Sequence, residues 1–505
     1  MNKNITKAFL MHKNIEVARL VVDEESNILP EYYNSQKTDH IPLGGLLKDP
    51  YFKTYWWTDR AINSNRPGTQ NALERLGYTS TKNMLLNNLG LSLSDCYWLK
   101  PYDSDARWED VNLFRNDFKD YFGIVSIDPS AQIDKTEFFS PTTSNGMIPK
   151  KWVMTEDGKR VLIKYLRKCE CQQSMNEVFA SNINALQNFN NYVTYNRINL
   201  DLGNDNLGIG CACDCFCDEH KEFITADEVL QSMHYPHGSK IQPLRYFASK
   251  EGLNMEEFDR QMDYQIMLDF LISNCDRNTR NYGFLRDPDT LKVKQLAPIF
   301  DNGYSMLYEN IVDYMFDPDE DFKIHAFEKT ERFMLRHVND RKVLDLNKLS
   351  SINFDAYKID SERYNYKIDV LKSIFYRKIE LLDCFQRGIN IWKADEYKQY
   401  VPVNSYKPTQ DELTFQCKKY AIEREAYNQE MFQDIIHESE QPINTTSQKD
   451  NVLSQAIKLS DTPILKRSNN VMDTAIVKDA INKSHITQNS EKSNHGISSF
   501  IPSHR

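Results

Sequence analysis

Along this chain the alternation of apolar and polar positions changes rhythm several times. Up to about residue 125 the pattern is irregular and rich in aromatic residues. Helical spacing shows in residues 70–76 and 79–89, and residues 90–99 read as a loop running into an aromatic strand. From about residue 136 the rhythm changes. The polar stretch 140–151 carries the turn signal Asn145-Gly146. Residues 152–154 and 161–166, separated by Glu156-Asp157-Gly158-Lys159, predict a β-hairpin. Met175, Val178, Phe179, Ile183 and Leu186 then recur at helical spacing. Residues 192–200 and 207–217 predict apolar strands, which makes this part a β-rich unit with one helix.

A helical region follows. Residues 258–273 carry apolar side chains at Met262, Ile266, Met267, Phe270 and Leu271, and end in the polar loop 274–281. A hairpin is expected at 282–295 around Asp287-Pro288-Asp289. The strand Ile299-Phe300 then delivers Asp301-Asn302-Gly303, and helices are expected to fill 325 to about 395. Residues 409–438 read as one charged helix. The stretch from Ser439 onward is rich in Ser, Asn, Lys and Thr, and disorder is expected there.

Composition narrows the class. The 505 residues leave room for two to four domains at about 100–200 residues each, and 12% aromatic content supports large cores in part of the chain. The net charge of −10 argues against a protein that grips nucleic acid over its whole surface. The early apolar run Ala8-Phe9-Leu10-Met11 is too short for a secretory core or a membrane span. The ten cysteines are therefore expected to be reduced thiols in a cytoplasmic protein. Cys211, Cys213, Cys215 and Cys217 cluster, but ligands one residue apart on a strand do not easily wrap one ion. They read as small apolar side chains on a strand.

One ordered set of polar residues suggests chemistry. Phosphoryl transfer needs positioned phosphates, metal ions and an oriented hydroxyl rather than covalent help. The chain offers the parts in the expected order. A loop at 140–146 can cradle phosphate oxygens through Asn145, Gly146 and its hydroxyls. Lys164 lies on the strand Val161-Leu162-Ile163-Lys164, and Glu177 lies in the following helix. Asp276 and Asn281 give an Asp-x-x-x-x-Asn loop, with Asp276 as base toward a substrate hydroxyl and Asn281 turning an amide oxygen to magnesium. Asp301 follows the apolar approach Ala297-Pro298-Ile299-Phe300 and suits Mg2+ bound with phosphate oxygens. Singly, each piece also reads as something ordinary. Lys164 fits a surface lysine, Glu177 a solvated helix residue, and Asp276, Asn281 and Asp301 fit turn formers. The order of the set points to a nucleotide site.

Residues 274–281 with Ala297-Pro298-Ile299-Phe300-Asp301-Asn302-Gly303 resemble the HipA-like serine/threonine kinase family. So do the Thr-Ser-Asn-Gly loop before Pro149-Lys150-Lys151-Trp152, the 161–164 strand, Met175-Asn176-Glu177-Val178, and Cys213 to Cys217 ahead of Glu222-Phe223-Ile224. The resemblance covers about 1–400. It implies an α+β, two-lobed protein-kinase-like fold with lobes at 126–240 and 241–400. Before them come an N-terminal α/β-irregular extension at 1–125, and after them a charged helix at 401–438 and a disordered tail at 439–505. It implies ATP and Mg2+ as cofactors, with ATP near Lys164, Glu177, Asn145, Gly146, Asn278 and the hinge Cys215, Phe216 and Cys217. It further implies a protein substrate, autophosphorylation at Thr143 or Ser144, and an antitoxin-like or regulatory protein partner. The chain departs from ordinary protein kinases. Only Gly146 remains in the phosphate loop, no His-Arg-Asp precedes Asp276, the metal triplet is Asp-Asn-Gly, and no later Ala-Pro-Glu is evident. Two other readings stand beside the kinase. One is a catalytically silent nucleotide-binding module. The other is a lipid or small-molecule kinase, against which the missing basic, membrane-facing stretch weighs.

Overall fold

Three antiparallel sheets organise the described residues. The computed structural model describes residues 5–43, 56–66, 68–127, 131, 133, 140–141, 143, 148–165, 171–201, 207–233, 240–308, 320–326, 328–358 and 362–401. The first sheet holds β1 (Lys7–His12), β2 (Ile15–Val22), β3 (Ile28–Tyr33) and β4 (Tyr97–Pro101) in the order β3-β2-β1-β4. Ala8 and Leu10 on β1, and Val17, Ala18 and Leu20 on β2, are fully buried. Register shifts interrupt both pairs, at Leu10/Met11 and at Arg19/Leu20. Short helices α1 (Trp56–Arg60), α2 (Thr69–Leu76) and α3 (Thr81–Asn87) lie between β3 and β4. Two buried tryptophans fix this core by their N–H groups: Trp57 donates to the Ser26 carbonyl at 2.8 Å and Trp98 to that of Lys13 at 2.7 Å. Helices α4 (Trp108–Val111) and α5 (Tyr121–Ile127) complete the first part of the chain.

The second sheet runs β5-β6-β8-β7, from β5 (Lys150–Met154), β6 (Arg160–Tyr165), β7 (Asn196–Asp201) and β8 (Leu207–Asp214). The expected hairpin is β5–β6, turned at Gly158 in the left-handed region. Cys211 and Cys213 share the buried face of β8, as alternate residues on a strand do. All eight described cysteines are free thiols. Helix α6 (Gln172–Gln187) crosses between β6 and β7. Its Met175, Phe179 and Ile183 are completely buried, and Phe179 packs against Phe354, Tyr357 and Phe375.

The third sheet, β11-β10-β9, comprises β9 (Glu222–Thr225), β10 (Gly283–Arg286) and β11 (Val293–Leu296). Gly283 is required: a Cβ there would lie 2.0 Å from the Ile224 carbonyl oxygen. Helix α7 (Ala226–Ser232) starts with a capping box between Thr225 and Glu228. Helix α8 (Ile241–Lys250) follows, and then α9 (Met255–Leu271), capped by Asn254. Beyond residue 320 the expected run of helices is only partly present. The described residues show α10 (Glu331–Met334), α11 (Glu362–Gln386) and α12 (Ala394–Tyr397). Between α10 and α11 the chain makes short 3-10 turns at Leu335–His337, Lys348–Ser351 and Asp355–Tyr357 instead of α-helices, and side-chain oxygens there satisfy nearby amides. Asp340 accepts from the Lys342 N–H, Asp345 from that of Asn347 and Asn353 from that of Asp355. The predicted strand at Ile299 shrinks to a single parallel bridge with Tyr192.

A buried ionic cluster joins the first sheet to the third. Glu222 of β9 takes His12 of β1 at 3.1 Å and Arg286 of β10 at 2.5 Å, and accepts the Cys96 N–H at 3.3 Å. Arg286 also donates to the Tyr97 hydroxyl at 3.0 Å. No helix among the described residues is long and apolar enough to cross a membrane. The residues of the expected charged helix at 409–438 and of the tail beyond it lie outside the described residues.

Candidate active site

Lys164 sits near the end of β6, and burial alone would strip its ammonium of water. Two carboxylates replace that water. Glu177 of α6 lies 2.5 Å from Nζ and Asp301 lies 2.6 Å from it. Burial pushes the lysine pKa down, and Asp301 and Glu177 more than reverse this, so Lys164 stays an ammonium. Burial likewise opposes ionisation of Asp301, but Lys164 and Lys150 outweigh it and hold the carboxyl well below the usual range. The second oxygen of Glu177 accepts the Asn302 N–H at 2.7 Å. Glu177 therefore ties strand, helix and the 301–303 turn together. Three residues separated by up to 137 positions converge here.

The turn itself is held in an unusual conformation. Asp301 has φ +57, in the left-handed region that few non-glycine residues enter. Its neighbours are pinned from both sides. Asn176 of α6 donates to the carbonyls of Gly303 at 2.7 Å and Ser305 at 2.8 Å, and is itself held by the Tyr357 hydroxyl at 2.8 Å. From the other side Arg277, fully buried, donates to the Phe300 carbonyl and to Asn302 Oδ1 at 2.5 Å. Its guanidinium rests on Asp269 of α9, with Nη2 2.9 Å from one carboxylate oxygen and Nε 3.0 Å from the other.

Arg277 also fixes the 274–281 loop, since it donates to the Asn281 carbonyl at 3.2 Å. Asp276 is half-buried beside Arg277. Burial raises its pKa, the Asn278 amide at 3.1 Å opposes the rise, and the charge of Asp301 adds to it. A carboxylate raised in this way suits a proton acceptor. Asn281 Nδ2 donates to the Asp276 carbonyl at 2.9 Å, so the amide oxygen is the end left for a cation. The expected hinge meets the same region through aromatic packing: the Phe216 ring lies 5.2 Å from that of Phe300, the residue before Asp301.

The structure therefore brings Lys164, Glu177 and Asp301 into direct contact. Asp276, Asn278 and Asn281 join them on a loop that shares Arg277 with the Asp301 turn. Of the hinge residues, Phe216 reaches this group. The Cys215 thiol donates instead to the Leu93 carbonyl at 3.3 Å, and the buried Cys217 neighbours Cys96 and Glu222. In the expected phosphate loop, Thr143 is half-buried with its hydroxyl 2.7 Å from that of Ser92. Ser144, Asn145 and Gly146 lie outside the described residues.

Four contributors were not singled out from sequence: Arg277, Asp269, Asn176 and Lys150. Lys150 stands directly opposite Lys164 in the β5–β6 pair and is also buried. Burial, with Arg66 and Lys164 nearby, pushes its pKa down to about 7. The expected strand began at Trp152, so the pairing of Lys150 with Lys164 came only with the observed register.

No family model matches the chain, and no curated protein matches it. The solved structures that are similar to it include a kinase and a toxin–antitoxin assembly. One is the proinflammatory kinase CtkA of Helicobacter pylori, at 17% identity and TM-score 0.36, covering 47% of this chain and 93% of that one. The other is the HipA–HipB toxin–antitoxin system of Shewanella oneidensis in complex with its operator DNA, at 11% identity and TM-score 0.45, covering 76% of this chain and 100% of that one.

Proposed function

We propose that this chain is a HipA-like kinase with a two-lobed, protein-kinase-like arrangement, and that it transfers the γ-phosphate of ATP to a Ser or Thr hydroxyl of a protein. The observation that carries this reading is the Lys164–Glu177–Asp301 group, with its lysine and glutamate buried and its aspartate at the rim, and with Asp276 and Asn281 tied to it through Arg277. A silent module has no need to hold a base, a lysine and two hard oxygen donors together.

The donor set fits Mg2+. Asp301 offers a carboxylate held ionised, and Asn281 offers an amide oxygen. Among the described residues no group of three or more His, Cys, Asp and Glu side chains forms a metal site. Magnesium bound with substrate phosphates takes one or two carboxylates rather than a full protein cage. Bound there, it supplies charge neutralisation to the phosphates. The chain's own residues do the rest. Lys164 holds a phosphate oxygen, Glu177 fixes the lysine, and Asp276 accepts the proton of the attacking hydroxyl. Arg277 keeps the base and the metal ligands in register. Free thiols throughout the described residues suit a reducing, cytoplasmic setting.

The test is incubation of wild type and Asp276→Asn with labelled ATP and Mg2+, alone and with cell lysate. Wild type is expected to label itself or a lysate protein. The variant should fall on the order of 10²–10⁴-fold while its melting temperature holds. Equal labelling by the two would remove Asp276 from its role. Label recovered in the lipid extract instead would redirect the substrate class.

A further inference from the structure

The stretch 88–96, between α3 and β4, touches several parts of the nucleotide site proposed above. Asn88 Oδ1 accepts the Ser140 N–H at 2.7 Å, and Ser92 Oγ lies 2.7 Å from Thr143 Oγ1. The Leu93 carbonyl accepts the Cys215 thiol at 3.3 Å, and the Ser94 carbonyl accepts the Phe223 N–H at 2.7 Å. One short segment of the N-terminal region thus contacts the start of the phosphate loop, the hinge and β9.

The hydroxyls in this segment have a defined polarity. Arg60 clamps Asp95 through two hydrogen bonds, at 2.6 and 2.7 Å, and Asp95 accepts the Ser94 hydroxyl at 3.2 Å. The Ser94 oxygen in turn lies 2.7 Å from Ser92 Oγ. Ser92 Oγ also accepts the Ser94 N–H at 3.0 Å. With Ser94 spending its proton on Asp95, Ser92 donates to Ser94, and the remaining lone pair of Ser92 takes the Thr143 proton. Ser92 is 2% exposed, so water does not substitute for it.

We propose that the 88–96 stretch is a positioning element for the nucleotide, in which Ser92 fixes Thr143, and Asn88 fixes Ser140, at a set place relative to the hinge. Ser92 touches no substrate; it acts through Thr143. This rests on the kinase reading, and the test separates the two.

The experiment titrates a fluorescent ATP analogue with Mg2+ into the full chain and measures steady-state kinetics in parallel. The variants are Ser92→Ala, Ser92→Thr, Thr143→Val and the double variant Ser92→Ala/Thr143→Val. Losing one oriented hydrogen bond is expected to raise Kd and KM for ATP roughly 5- to 10-fold, with kcat within about twofold. Ser92→Thr, which keeps the hydroxyl, should restore binding, and the double variant should bind no worse than either single one. Melting curves are expected to overlay, which separates the effect from unfolding. If wild type binds ATP and Ser92→Ala binds equally, or if the two single effects add, the positioning role falls and the kinase reading stands. If wild type binds no ATP, both fall.

Discussion

Two buried ionic groups in this protein use the same chemistry to different ends. Around Glu222 the charges are closed in: His12, Arg286 and the Cys96 amide take its carboxylate, and Glu222, His12 and Arg286 are all almost fully buried. Around Lys164 the group is as buried on one side, but Asp301 keeps a half-exposed carboxylate, and Asp276 beside it is half-buried with a raised pKa. The first group joins strands of two sheets, and its charges are spent on one another. The second presents charge at its rim. Burial of charge by itself therefore does not mark a candidate site; a charged group left accessible beside it is the better sign.

The largest effect expected on this contrast comes from Glu222→Gln, which strands Arg286 without its counter-charge. Removing one partner of a buried pair costs about 3–5 kcal/mol, read as a fall in denaturant midpoint. The variant should leave any remaining folded protein able to bind ATP. The pH dependence gives a second reading of the same residue. Burial raises the Glu222 carboxyl, but His12 and Arg286 overcome this and hold it at about 2, below its ordinary 4.5. A depressed carboxyl stabilises the fold above its unfolded pKa and loses that contribution as pH falls through the folded one. The wild-type advantage over Glu222→Gln should thus be full at pH 6, about 3 kcal/mol from this shift, and vanish between about pH 4.5 and 2.

Lys164→Met tests the open group. Phosphoryl transfer should drop on the order of 10²–10³-fold in a labelled-ATP assay. Some stability should go as well, since Glu177 is left buried without its cation. A variant with unimpaired transfer would place the phosphates elsewhere.

Lys150→Met is expected to move stability and binding in opposite directions. Its ammonium is disfavoured in the fold, being pushed down to about 7. A lysine lowered in this way destabilises the native state fully below that pKa, and the penalty shrinks as pH rises toward the unfolded value of about 10.4. Thermal melting should therefore show the variant a few degrees more stable near pH 6 and equal to wild type near pH 10. Its affinity for ATP should be lower than wild type's. Loss of both stability and affinity would make Lys150 a structural residue.

The smallest effect belongs to Lys13→Ala. Lys13 reaches Asp289 at 2.6 Å, between the same two sheets that Glu222 joins, but Asp289 is 55% exposed. An exposed pair contributes roughly 0–1 kcal/mol and weakens with salt. Melting at low and high salt should show a change inside that range. A loss comparable to that of Glu222→Gln would break the contrast between closed and exposed pairs.

Much of the element pattern was legible in the sequence for local reasons. The β5–β6 and β10–β11 hairpins carry their turn residues, and α6 and α9 carry unbroken helical spacing. The strands β1 to β3 were read as irregular, because register shifts at Leu10/Met11 and Arg19/Leu20 break the alternation that marks a strand. The Ile299 strand was over-read. Its amide and carbonyl pair with Asn191 and Val193, and then the chain turns into the left-handed Asp301, where pairing stops. In the site, Lys164, Glu177, Asp276, Asn281 and Asp301 were each named from type and spacing. Arg277 was not, since an arginine in a polar loop looks solvated until α9 supplies Asp269.

Sequence alone determined which residue types stand in which order, and so the kind of chemistry the chain can carry. Spacing along a strand or helix is local and survives without a fold. Only the tertiary structure decided that Lys164 lies within ion-pair distance of Asp301, that Arg277 spans two loops, and that the 88–96 stretch meets Thr143. Those contacts join residues 23 to 137 positions apart, apart from the short reach from Arg277 to Asn281. Such distances are fixed by the packing of α6, α9 and three sheets around one another, which no local pattern encodes.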